Sequence, residues 1–306
     1  MQTDESLKAL KREARIRLIF AFVVCVWIAL TVAVPAQQPQ PSPASSQTGT
    51  SGQAQTSAKP KETKPANTSP FSEPDPLDFN DHTGYVPIFD GVSLKDWVGD
   101  PAVWRVEKGA IVGESTKEKP VANSYISYHG FETKDFDLKL EIKVENGGGS
   151  GIQYRSKTGL TWLRVPADKQ PNLDWMMTGP QADFWYPAFP KASDLTGQFY
   201  SENTPLGILA WRGEVVESAP EVRPRLIGNI GDRTALGGYV KVNDWNQYMI
   251  IARGGTFIHI LNGQLMAVYI DDDPASANNH TGMIGIEIES SPSKVSVRNI
   301  WVKKLQ

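Results

Sequence analysis

Between residues 138 and 144 apolar and charged positions alternate one for one, Leu138-Lys139-Leu140-Glu141-Ile142-Lys143-Val144. That is the period of a strand with one buried and one wetted face, and it sets Glu141 opposite Leu140 and Ile142. Similar short alternations, broken by Gly, Asn, Asp and Pro, run from about residue 78 to 306 with no long stretch of helical period. Residues 248–252 and 256–261 predict a strand pair across Arg253-Gly254-Gly255. Asn262-Gly263 is the strongest hairpin signal in the chain, with residues 264–270 returning from it. Segments 283–289 and 294–303 complete the sheet, and strands spaced this way predict a two-sheet, all-β sandwich of jelly-roll type, one domain over residues 78–306.

The N-terminal quarter has another pattern. Lys8, Lys11, Arg12, Arg15 and Arg17 precede an apolar run over residues 18–34, and Val34-Pro35-Ala36 offers small residues to a signal peptidase. Residues 1–36 therefore predict an export signal or, uncleaved, an N-terminal membrane anchor; either places the domain in the periplasm or outside the cell. Residues 37–77 are Gln, Pro, Ser, Thr, Ala and Lys with almost no large apolar side chain. Such a segment buries too little surface to offset chain entropy, so a disordered linker is expected.

Composition removes several chemistries. The one cysteine, Cys25, lies in the apolar run, so the exported part has no disulfide, thiolate metal site or cysteine nucleophile. A formal charge of −3 with scattered lysines and arginines argues against a nucleic-acid partner, and any membrane association is expected only through the N-terminal segment.

Candidate chemistry starts at Gly147-Gly148-Gly149-Ser150-Gly151, which leads into Ile152-Gln153-Tyr154-Arg155. Period two turns Ile152 and Tyr154 to the core and brings Gln153 and Arg155 to the other face, a donor pair for a ligand with carbonyl and hydroxyl groups. The glycine run precedes a strand and not a helix, so it is no dinucleotide fingerprint, and no organic cofactor is expected. Residues 161–202 alternate weakly and are rich in aromatic residues, reading as a long functional loop. Trp162, Trp175, Trp185, Tyr186, Phe189 and Tyr200 are candidates to wall a sugar site, or to close one end of the sandwich.

Several phrases, in order, resemble the 3-keto-disaccharide hydrolase domain family. They are Ile88-Phe89-Asp90-Gly91 through Asp96-Trp97, residues 104–113, Asp135-Phe136-Asp137-Leu138, Ser150-Gly151-Ile152-Gln153-Tyr154-Arg155-Ser156, Gly179-Pro180-Gln181-Ala182-Asp183, and Gly207-Ile208-Leu209-Ala210. Asn246-Gln247-Tyr248, the stretch from His259 to Gly263, and Val297-Arg298-Asn299-Ile300 complete the likeness, which spans about residues 85–305. The resemblance implies a concanavalin A-like sandwich that cleaves 3-keto-glycosides by 1,2-elimination and hydrates the 2-hydroxy-glucal formed. It also implies a partner oxidoreductase supplying the 3-keto sugar.

That chemistry needs a base near C2, donors around the C3 oxygen and an acid for the leaving oxygen. Glu141, Gln153, Arg155, Arg212, His259, Glu287 and Glu289 fall on polar phases, and Gln181 and Asp183 share one; on a single sheet they would line one concave face. Arg155 is the expected enolate stabiliser, Gln153 and Gln181 the hydroxyl ligands, Asp183 or Glu141 the base and His259 the acid. Trp185, Tyr200, Arg212, Glu287 and Glu289 are further expected substrate contacts. Glu141 also reads as a solvated partner of Lys139 or Lys143, His259 as a rim residue bonded to backbone, and Arg212 as structural. Where the family phrase carries a glutamine and a histidine two apart, this chain has Glu287-Ile288-Glu289. A divalent metal, Ca²⁺, Mg²⁺ or Mn²⁺, held by Glu287, Glu289, Asp183 and His259 is conceivable on the oxygen-rich set. Two other readings stay open: a sandwich glycosidase using Glu287 and Glu289, about 6.6 Å apart along a strand, and a lectin-like module that binds glycan without chemistry.

Overall fold

The computed structural model describes residues 75–186, 195–289 and 292–305. Residues 1–36, read as an export signal or anchor, the expected linker up to residue 74 and Phe189 lie outside the described residues. Among those described, seventeen strands form two sheets, giving the expected all-β jelly-roll sandwich. No described helix is long and apolar enough to cross a membrane.

The larger sheet runs β12 (Val222–Asn229), β11 (Glu214–Ala219), β15 (Gln264–Asp271), β14 (Thr256–Leu261), β13 (Asn246–Arg253), β6 (Phe136–Glu145), β17 (Ser293–Lys304), β4 (Ala110–Ser115) and β3 (Trp104–Glu107). The short β1 (Val86–Pro87) pairs with β17 off this path. The second sheet runs β10 (Gly207–Ala210), β9 (Phe199–Glu202), β8 (Met177–Trp185), β7 (Gly149–Thr158), β16 (Met283–Glu289), β5 (Asn123–Tyr128) and β2 (Trp97–Gly99). Its pairings are all antiparallel.

Alternation builds the core between them. Leu138, Leu140 and Ile142 of β6 and Ile250 of β13 share one buried cluster with Ile152 and Tyr154 of β7, Ala182 and Phe184 of β8, and Ile286 of β16. The Asn262-Gly263 hairpin forms as expected between β14 and β15, with both residues at positive φ, 50° and 80°, the backbone such a two-residue turn requires. A single helix turn, α1 (Arg233–Gly237), is capped by Asp232, whose side chain accepts from Ala235 N.

The segment expected to be a long aromatic loop is partly sheet, because β8 and β9 run through it. Gly179-Pro180 disguised β8, since proline is normally excluded from a central strand. Here Pro180 faces an irregularity in the β7–β8 ladder between Gln153 and Lys157, where no strand hydrogen bond is required of it.

Candidate active site

The polar residues of β5, β16, β7, β8 and β9 share the outer face of the seven-stranded sheet. Gly151 of β7 stands in register between Asp183 of β8 and Glu287 of β16, and Glu287 pairs in turn with Tyr125 of β5. A glycine there leaves the floor open. A Cβ on Gly151 would sit 1.9 Å from Gln181 Nε2, because the Gln181 side chain crosses over β7 to reach Glu287. Gly149 has the same role one rung on, lying under the Trp185 ring at 2.8 Å from its virtual Cβ. The glycine run seen in the sequence is thus a gap for side chains of the neighbouring strand.

Glu287 is 2% exposed, and both of its oxygens accept hydrogen bonds, with one acceptor site left on Oε2. Its Oε1 accepts from the Tyr125 hydroxyl at 2.6 Å and from Asn123 Nδ2 at 2.9 Å, and its Oε2 accepts from Gln181 Nε2. Behind it runs a relay of one polarity: Ser156 Oγ donates to Gln153 Oε1 at 2.6 Å, and Gln153 Nε2 donates to Gln181 Oε1 at 3.0 Å. Gln153 therefore positions Gln181.

Three more carboxyls share the cleft, which encloses about 270 Å³ and is lined by Asp183, Glu202, Glu287 and Glu289 together with Trp162, Arg164, Trp185, Gln198 and Tyr200. Burial pushes Asp183 well above the usual carboxylate range, against the donor Gln198 Nε2. Burial and then the Glu287 charge push Glu202 and Glu289 up to about 8. Burial raises Glu287 as well, but its three donors all work the other way. The donors on Glu287 favour its charged form, and that charge adds to the burial that raises its three neighbours.

Some of the expected site residues meet at one cleft and others do not. Gln153, Gln181, Asp183, Trp185, Tyr200, Glu287 and Glu289 are gathered at or directly beneath the cleft. Arg155, expected beside Gln153, is turned away: it sits in a bulge at φ 49°. Its guanidinium donates to Lys134 O, to Gly254 O at 2.9 Å, to Asn279 Oδ1 at 3.2 Å and to Asp135 Oδ1 at 2.9 Å. Glu141 lies on the outer face of the other sheet, accepting from Arg298 Nε and Asn299 Nδ2, both at 2.7 Å. His259 is a core residue 1% exposed. Its Nδ1 donates to Gln198 O at 3.1 Å and its Nε2 accepts from Tyr154 at 2.8 Å, while burial lowers its pKa to about 4. A neutral, enclosed imidazole supplies no proton to the cleft. Arg212 is structural, donating to Arg233 O at 2.8 Å and Thr196 O at 3.0 Å. Trp162 is a third ring on the cleft, whereas Trp175 and Tyr186 do not line it.

Asn123, Tyr125, Arg164, Gln198 and Glu202 are cleft groups that the sequence reading passed over. Gln198-Phe199-Tyr200-Ser201-Glu202 alternates, so the phase that marked Tyr200 also marked its two neighbours. Arg164 carries no such signal. Among the described residues no three of His, Cys, Asp and Glu converge as a metal-binding group, and both oxygens of Glu287 already accept protein donors.

Known proteins similar to this chain include carbohydrate-active ones. A curated 3-keto-disaccharide hydrolase from Bacteroides thetaiotaomicron is 36% identical over 83 residues, which is 24% of this chain and 28% of that protein. The match thus spans just over a quarter of that relative. A candidate glycosyl hydrolase from Parabacteroides distasonis superposes with a TM-score of 0.43 at 18% identity, covering 73% of this chain and 95% of the other. A galectin-like protein of unknown function from Bacillus subtilis gives 0.45 at 10% identity, covering 69% and 90%. The 3-keto-alpha-glucoside-1,2-lyase-like domain matches residues 84–303, so the chain belongs to that family.

Proposed function

We propose that the cleft cleaves 3-keto-glycosides by 1,2-elimination and then hydrates the product, giving net hydrolysis. The observation that carries this reading is Glu287, fixed by three donors that favour its charged form, among three carboxyls that burial and the Glu287 charge push toward the protonated form. Such a site offers a base and an acid together.

A ketone at C3 acidifies the hydrogen on C2. Glu287 removes that proton, and the C2–H electron pair becomes the enolate. Arg164, the cation among the residues lining the cleft, replaces Arg155 as the group for the C3 oxygen. When the enolate collapses, the C1–O bond breaks and its pair leaves on the aglycone oxygen, which takes a proton from Asp183 across the Gly151 gap. Water then adds its oxygen to C1 while a proton returns to C2, so the sum is glycoside plus water to alcohol plus 3-keto sugar. Trp162, Trp185 and Tyr200 give the ring apolar walls. The substrate must come from an oxidoreductase acting at C3, and the domain works outside the cytoplasm.

The test is turnover of 3-keto-glucosides carrying a chromogenic leaving group in deuterated water, beside the unoxidised glucosides, with and without chelator. Release from the keto compounds alone, with deuterium at C2 of the recovered sugar, is the expected result. Release from the unoxidised glucosides would instead make Glu287 and Glu289 an ordinary glycosidase pair. Binding without release would leave a lectin-like module.

A further inference from the structure

Of the glutamines at or beneath the floor of the cleft, Gln153 and Gln181 are spent on other side chains. Gln153 accepts from Ser156 and donates to Gln181, and Gln181 accepts that bond and donates to Glu287. Gln198 differs. Its Nε2 donates to Asp183 Oδ2, but among the described residues nothing donates to its Oε1, although the side chain lines the cleft and the residue is 1% exposed. Buried amide oxygens without a donor are rare in folded proteins, and each needs a reason.

The backbone holds Gln198 in place. Gly197 leads into β9 at φ 92°, where a Cβ would meet Met266 Cβ at 2.7 Å. The Gln198 N–H donates to Leu195 O at 3.2 Å, and its carbonyl accepts from His259 Nδ1 at 3.1 Å and from Asp183 N at 3.4 Å. The phase of β9 then carries Gln198, Tyr200 and Glu202 to the cleft together. With its main chain fixed this way, the residue has its amide left to offer.

Asp183 decides what completes that amide. With Asp183 charged, Gln198 Nε2 donates to it and Oε1 is left over as an acceptor. With Asp183 protonated, the form that burial favours, the amide turned about its last bond accepts the Asp183 proton, and Nε2 is left over as a donor. A carboxylate on the ligand would serve only the second state and an ammonium only the first. A hydroxyl both donates and accepts, so it completes Gln198 in either. An apolar group would leave the amide unpaired in both, which is costly. We propose that Gln198 reads one hydroxyl of the bound sugar beside Asp183 and so discriminates against sugars that lack it; this rests on the reading of the cleft given above.

The experiment measures dissociation constants by calorimetry for methyl glucosides of both anomers and for the same compounds deoxygenated singly at C2, C4 or C6. It also measures kcat/KM for the corresponding 3-keto compounds. The proteins are the wild-type chain, Gln198→Met, which keeps the shape and loses the amide, and Gln198→Asn, which keeps the amide and draws it back by one methylene. The expected result is that removal of one hydroxyl weakens binding to the wild type by about 10- to 100-fold, the scale of a buried polar group left without its partner. In both variants that penalty falls below about threefold, while the penalties for the other hydroxyls stay as they were. A wild type indifferent to all three hydroxyls, or a penalty that survives both substitutions, overturns the proposal. Turnover of the keto compounds together with either of those results overturns the Gln198 contact and leaves the elimination reading standing. Absence of turnover together with a Gln198-dependent penalty in the dissociation constants overturns the elimination reading and leaves the hydroxyl contact standing.

Discussion

At the scale of single residues the site depends on what is missing from β7 as much as on what its neighbours carry. Gly151 has no side chain where the Gln181 amide passes, with 1.9 Å between a virtual Cβ and Nε2. Gly151→Ala must push that amide off Glu287, removing one of three donors and tilting the carboxyl toward its protonated form. The expected outcome is a loss of roughly 10- to 100-fold in kcat, with the acid limb of the pH–rate profile moved to higher pH and stability lowered by about 1–3 kcal/mol. Steady-state kinetics across pH, with a urea titration beside them, checks it; an unshifted acid limb would separate Gln181 from Glu287. The sequence showed the glycine run and the polarity of Gln181, Asp183, Glu287 and Glu289. It could not show that the glycines serve side chains of β8, because that relation crosses strands and depends on register.

Elements account for the misplaced residues. Alternation located β6, β13, β14, β16 and β17 closely, since each has a regular apolar phase facing the core. It did not say which sheet a strand joins, so Glu141 and His259 were grouped with residues that belong to the opposite layer. The bulge in β7 is the second cause. Gln153 pairs with Gly285 and Ser156 with Met283, so an extra residue is inserted between them and Arg155 leaves the phase of Gln153. Its guanidinium also lies over the Phe257 ring at 4.9 Å, bridging the bulge to the β13–β14 turn. Arg155→Met removes one donor from Asp135, which keeps Gly254 N, and takes the guanidinium from Lys134 O, Gly254 O and Asn279 Oδ1; with Asp135 36% exposed the expected cost is on the order of 1–3 kcal/mol. The check is chemical denaturation, read together with kcat at a temperature where the variant is folded. A kcat loss far beyond the loss of folded protein would return Arg155 to the chemistry.

For the whole molecule, the buried titratable groups set a dependence of stability on pH that a surface-charge argument would miss. His259, lowered to about 4 from 6.5, is neutral in the fold where the unfolded chain is protonated. Between those values the unfolded state binds more protons, so stability rises with pH through that window and His259 contributes no slope above about 6.5. Glu202 and Glu289 act in the other direction. Raised from 4.5 to about 8, they keep protons in the fold that the unfolded chain has released, so stability falls as pH rises from 4.5 toward 8. The two effects oppose one another below 6.5, and only the carboxyl slope remains above it. The wild-type domain is therefore expected to be most stable in mildly acidic solution and to lose on the order of a few kcal/mol by pH 8. Urea titrations at half-unit pH steps read this directly. In Glu202→Gln with Glu289→Gln the decline between pH 6.5 and 8 should become shallower, leaving the part due to Asp183 and Glu287. The net fall from pH 4.5 to 6.5, where two carboxyls outweigh one histidine in the wild type, should lessen as well, because His259 lies inside the sandwich and those side chains line the cleft. A wild-type curve level from pH 6.5 to 8 would mean that water solvates the cleft carboxyls in the folded state. That would also remove the proton-holding neighbours on which the acid step of the proposed elimination depends.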